Sequence, residues 1–139
     1  MSNHIPDDLR KLVIERAQNR CEYCGLSQMG QAATFHVDHI IPVSADGQTI
    51  SENLALACVG CSLHKSARSM VSDPVTGELV PIFHPRQDNW HTHFRWEGVL
   101  AVGLTPTGRA TLDVLKMNRP IMLSIREEER FWGRHPHSI

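Results

Sequence analysis

The chain has 139 residues, enough for one domain or for a small core with an extension, and its 41% hydrophobic and 21% charged composition excludes a disordered or fibrous protein. A formal net charge of −1 excludes a molecule that gathers nucleic acid by bulk charge, so any such contact must come from a local patch. No apolar run approaches the roughly 18 residues of a membrane span, and residues 1–8 lack the basic-then-apolar pattern of a secretory leader; the expectation is a cytoplasmic protein with no membrane partner.

In chain order, Pro6-Asp7-Asp8 predicts a helix start with an acid as N-cap. Leu9, Leu12, Val13 and Ala17 recur at helical spacing on one face, and the helix is expected to end near Asn19-Arg20. Cys21-Glu22-Tyr23-Cys24-Gly25 reads as a tight knuckle. Residues 34–41, Thr-Phe-His-Val-Asp-His-Ile-Ile, read as a strand stopped by Pro42. A polar loop over 44–51 follows, then Asn53-Leu54-Ala55-Leu56-Ala57, a second knuckle Cys58-Val59-Gly60-Cys61, and a short helix expected over 61–69. Beyond Asp73-Pro74 the character changes, and Thr76-Gly77 marks the turn of a hairpin. Residues 90–96 alternate, with His91, His93 and Arg95 on one face, which predicts a half-buried strand. A further strand over 99–104 and two helices near 107–117 and 120–132 complete the chain, the last with Pro120 in its first turn.

The chain has four cysteines, all in two C-x-x-C pairs separated by 33 residues. In a reducing compartment such pairs point to metal or redox chemistry. Two knuckles of two thiolates each suit tetrahedral Zn²⁺, which would staple a small core. A thioredoxin-type pair would leave the second C-x-x-C unexplained, so Cys21, Cys24, Cys58 and Cys61 are assigned to a structural zinc.

Between the knuckles stand His36-Val37-Asp38-His39-Ile40-Ile41-Pro42, then Asn53-Leu54, then Cys58-x-x-Cys61-Ser62-Leu63-His64-Lys65. Over residues 10–70 the order and spacing resemble the HNH endonuclease family. A later extension, with Asp73-Pro74-x-Thr76-Gly77-Glu78, Phe83-His84-Pro85-Arg86 and His93-Phe94-Arg95-Trp96, looks like one carried by a subgroup of that family. The resemblance implies an α+β fold: a small ββα-metal, treble-clef-like HNH domain with a four-cysteine structural zinc and a C-terminal strand/helix extension. The expected division is 1–72 for the nuclease core and 73–139 for the extension, packed on it as one domain.

It further implies a metal-dependent endonuclease acting on nucleic acid, DNA above all. Asp38 would be a ligand of a catalytic Mg²⁺ or Mn²⁺ (Ni²⁺ or Zn²⁺ being compatible with a histidine-containing site), His39 the general base, and Asn53 a support that bonds loop backbone and orients His39. Residue 62 is where the family places histidine or asparagine as second ligand, and here it is serine. Ser62, His64 and His36 are therefore all candidates for that position. His64 stands about 200° from Ser62 on a helix, whereas His36 shares a strand face with Asp38. Lys65 and Arg68 are candidates for phosphate contact. His84, His91 and His93 lack a nearby cysteine or acid that would complete a further metal set. The competing reading is a catalytically inactive, zinc-stapled nucleic-acid-binding module, with a zinc-organised protein-interaction domain third. A homodimer is open in either case.

Overall fold

The computed structural model describes residues 4–137; residues 1–3, the start of the stretch read above for a leader, and residues 138–139 lie outside the described residues. The fold is a mixture of helices and three two-stranded antiparallel sheets, divided into two units, Met1–Ser69 and Met70–Ile139. Among the described residues, no helix is long and apolar enough to cross a membrane.

In the first unit, α1 (Asp7–Arg16) has Pro6 as its N-cap and no capping side chain. Asp7 and Asp8 instead occupy the first turn, where carboxylates oppose the positive end of the helix dipole. The helix ends earlier than expected because Gln18 and Asn19 both adopt positive φ, at 53° and 56°. Val13 is the buried residue of this helix, while Leu12 is 45% exposed, so the apolar face is narrower than the sequence suggested. Strands β1 (His36–His39) and β2 (Leu54–Ala57) pair in the register His36 with Ala57, Val37 with Leu56, Asp38 with Ala55 and His39 with Leu54. All of β2 is buried, and with Tyr23, Leu26, Phe35, Val37 and Ile40 it forms the core. Helix α2 (Val59–Lys65) begins two residues before the expected start because the Cys58 sulfur accepts the Cys61 N–H and caps it.

The second unit opens with the predicted hairpin, β3 (Met70–Ser72) against β4 (Leu79–Pro81). Its turn is built on buried Asp73, whose carboxylate accepts from the Val75 N–H and the Thr76 hydroxyl, while Gly77 supplies a φ of 74°. The expected strand over 90–96 is a correction. Asn89 accepts the His91 N–H and starts a helical turn, α3 (Trp90–His93), and only then does β5 (Phe94–Glu97) run against β6 (Leu100–Gly103). Period-2 alternation over so few residues is matched by one helical turn followed by a short strand, and the cap decides between them. Two helices follow, α4 (Pro106–Val114), capped by Thr105, and α5 (Pro120–Phe131). Gly108 is required where α4 meets α3, since a Cβ there would lie 2.1 Å from the His93 carbonyl oxygen. Arg126 is buried, donates to the Val99 and Met117 carbonyls and covers the Trp96 ring.

Arg109 on α4 grips Asp73 through two hydrogen bonds of 3.1 and 2.7 Å. Those bonds hold the Asp73 carboxyl well below the usual carboxylate range; burial opposes them, and Val75 and Thr76 add to them. Because the folded value is depressed, the stabilisation is fully present above the unfolded value of about 4 and is lost as pH falls through the folded one. Asp73→Ala should lower the thermal midpoint of the second unit by roughly 5–10 °C at pH 7, with the gap from wild type narrowing as a calorimetric series is carried toward pH 2.

Candidate metal centre and HNH motif

The two C-x-x-C segments meet in the first unit. Cys21, Cys24, Cys58 and Cys61 are buried, and their sulfurs all lie within 4.8 Å of one another. Each knuckle is shaped by its own backbone: the Cys24 N–H points at the Cys21 sulfur (3.5 Å) and the Cys61 N–H at the Cys58 sulfur (3.4 Å). Gly25, at φ 79°, turns the first knuckle back so that Cys21 N–H reaches the Leu26 carbonyl. Glu22 ties the knuckle to β2 with two bonds to Leu56, one from its amide and one to its carboxylate, both 2.8 Å. Hydrogen bonding with Cys21, Cys24 and Cys58, and then burial, push the Cys61 thiol up. A dication held by four thiolates removes that conflict, so the donor set fits a metal of the zinc type.

On β1, alternation sends His36 and Asp38 to one face and Val37 and His39 to the other. The His39 ring is partly buried and its Nε2 lies 2.8 Å from the Thr49 hydroxyl, which leaves Nδ1 as the second ring nitrogen. Burial pushes the His39 imidazolium down and the Lys65 charge adds to this, with Asp38 opposing. Asn53 is buried and makes three bonds, all to loop backbone. Its Oδ1 accepts the Ile41 N–H (2.8 Å), and its Nδ2 donates to the Ile41 and Gln48 carbonyls (3.0 and 2.9 Å). Gly47 closes the same loop, where a Cβ would lie 1.7 Å from the Ile41 carbonyl oxygen.

Helix α2 carries the remaining candidates. Because it is regular from Val59, Ser62 and His64 are about 200° apart around it. Ser62 Oγ is 3.0 Å from His36 Nδ1, whereas His64 Nδ1 donates to the Gly60 carbonyl of its own helix at 2.8 Å. Arg68, just beyond the helix, is exposed. Lys65 departs from the expectation of a phosphate contact. It is 1% exposed, one turn from Cys61 on the inward face, and donates to the His39 backbone carbonyl at 3.1 Å. Burial pushes its ammonium down and the Asp38 carboxylate holds it up. Asp38 also acts on Tyr23, whose phenol is raised by burial first and by that carboxylate second.

Residues 21–68 match the family model described as HNH endonuclease. This is the segment that carries the HNH pattern. Among curated proteins the chain has no match. The HNH segment brings together His36, Asp38, His39, Asn53, Ser62 and Lys65, and sets His64 apart on another side of α2. Thr49 escaped the sequence reading, since nothing distinguishes it from the other polar residues of the loop; Tyr23 was read only as a turn residue. His84 and His93 are each engaged locally. His84 Nδ1 accepts the Arg86 and Gln87 N–H groups, and His93 Nδ1 lies 2.6 Å from Thr105 Oγ1. Among the described residues, the four cysteines are the sole cluster of three or more histidine, cysteine or acidic ligands able to share one ion.

Lys65→Met should lower stability by about 1–3 kcal/mol, because it orphans a buried carbonyl and leaves Asp38 without its countercharge. Lys65→Arg is too bulky to restore the fit, so denaturant melts should rank the three proteins wild type, then either variant.

Proposed function

We propose that the chain is a metal-dependent endonuclease that hydrolyses phosphodiester bonds of nucleic acid, with DNA as its substrate. The carrying observation is the pair Asp38-His39 on β1, with the His39 ring anchored by Thr49 and the loop beyond it pinned by Asn53. In this reading His39 Nε2 donates to Thr49, so Nδ1 holds the lone pair that takes a proton from the attacking water. Burial and, against Asp38, Lys65 push that imidazolium down and so favour the neutral ring a base requires. Asn53 fixes the loop that carries Thr49 and thereby the ring plane. Asp38 would hold Mg²⁺ or Mn²⁺, which when bound neutralises phosphate charge and assists the leaving oxygen. The four cysteines would hold a structural Zn²⁺ that keeps β2 and α2 in place around the site.

The test is conversion of supercoiled plasmid by zinc-loaded protein with and without added Mg²⁺ or Mn²⁺. Nicked circles that form only with added metal are the expected result. Retarded DNA in a gel shift, with no nicking under any metal, would replace this reading by the inactive zinc-stapled binding module, which serine at position 62 favours.

A further inference from the structure

Resting on the nuclease reading, we infer that His36, held by the Ser62 hydroxyl, is the second protein ligand of the catalytic metal, so that the ligand usually supplied by the helix comes here from the strand. Serine is a poor neutral donor for a divalent ion, so residue 62 leaves the second ligand position to another residue. Three observations fill it from β1. His36 and Asp38 are two apart on a strand and project to the same face. Ser62, on the first turns of α2, is 3.0 Å from His36 Nδ1, so the serine that vacates the ligand position contacts the imidazole that takes it. With Nδ1 donating to that hydroxyl, Nε2 carries the free lone pair, and the exposed ring can present it to an ion from solvent.

The arrangement follows the usual division of a histidine ligand, one nitrogen for the metal and the other for an orienting partner. His64 does not compete, because the early start of α2 keeps it about 200° from Ser62. Ser62 is therefore a positioning residue, its hydroxyl 3.0 Å from Nδ1 setting the His36 ring.

The probe is Mn²⁺ alone, titrated into zinc-loaded protein without DNA, with free ion followed by its paramagnetic resonance and bound ion examined for imidazole nitrogen coupling. His36→Ala should weaken Mn²⁺ binding at least about tenfold and abolish the nitrogen coupling. Ser62→Ala should weaken it by up to about tenfold while keeping the coupling, and His64→Ala should change neither. Because His36 is exposed, zinc content and thermal midpoint should stay at wild-type values in His36→Ala. Adding Ser62→His to His36→Ala should bring the coupling back from the helix side. Persistence of coupling in His36→Ala, or its loss in His64→Ala, would overturn the assignment while leaving the nuclease reading intact. A wild type that takes up no Mn²⁺ at all would overturn both.

Discussion

Replacing His39 by alanine should slow phosphodiester cleavage by about 10²–10⁴-fold, the ordinary contribution of a placed general base, with zinc content and DNA affinity unchanged. The ring contributes one side-chain bond, to Thr49, and its removal leaves the β1–β2 pairing in place, because that ladder is backbone to backbone. The Lys65 bond also survives, since it ends on the His39 carbonyl and not on the ring. A loss confined to kcat separates this from a folding defect, and circular dichroism of the variant should overlay that of the wild type. Cleavage by His39→Ala within threefold of wild type would remove His39 from the chemistry. Thr49→Val gives a graded version: it removes the anchor but keeps the base, so a drop of roughly tenfold is expected.

Removing the knuckle metal should have the largest structural effect. Cys58→Ser, or exhaustive chelation, should unfold the first unit, since zinc binding in small domains is worth on the order of 10 kcal/mol and a domain's whole stability is of similar size. Cys58 has two duties here: its sulfur is one of the four, and it caps α2 by accepting the Cys61 N–H. Heat-capacity traces should therefore lose the transition of the first unit while the second, whose core is built on Phe83, Phe94, Trp90 and the Asp73–Arg109 pair, still melts. Intact cooperative unfolding of both units in Cys58→Ser would mean that packing alone holds the knuckles.

The parts legible in sequence were those marked by local chemistry. Two C-x-x-C pairs, a β-branched run ended by Pro42 and a Thr-Gly turn each carry their geometry in a few adjacent residues. What escaped depends on partners far along the chain. The start of α2 was misjudged because a cysteine sulfur serves as its cap, in place of the usual oxygen. Lys65 read as a phosphate contact, since charge is visible in sequence and a carbonyl 26 residues away is not. Thr49 needed the loop closed before it could meet His39. In the second unit, 90–96 alternated as a strand would, and Asn89 alone, as a cap, turned its first half into a helix.

The loop between Pro42 and Asn53 is fastened at a few points: the Asn53 side chain holds Ile41 and Gln48 by their backbones, Gly47 supplies the clearance, and Thr49 meets the His39 ring. The side chains of Ser44 and Ala45, both exposed, carry none of that fastening. The short stretch 44–45 is thus an exchangeable cassette beside the reactive strand. Its chemistry can be rewritten by substitution, for example to add cations facing a substrate, without disturbing the base that it borders.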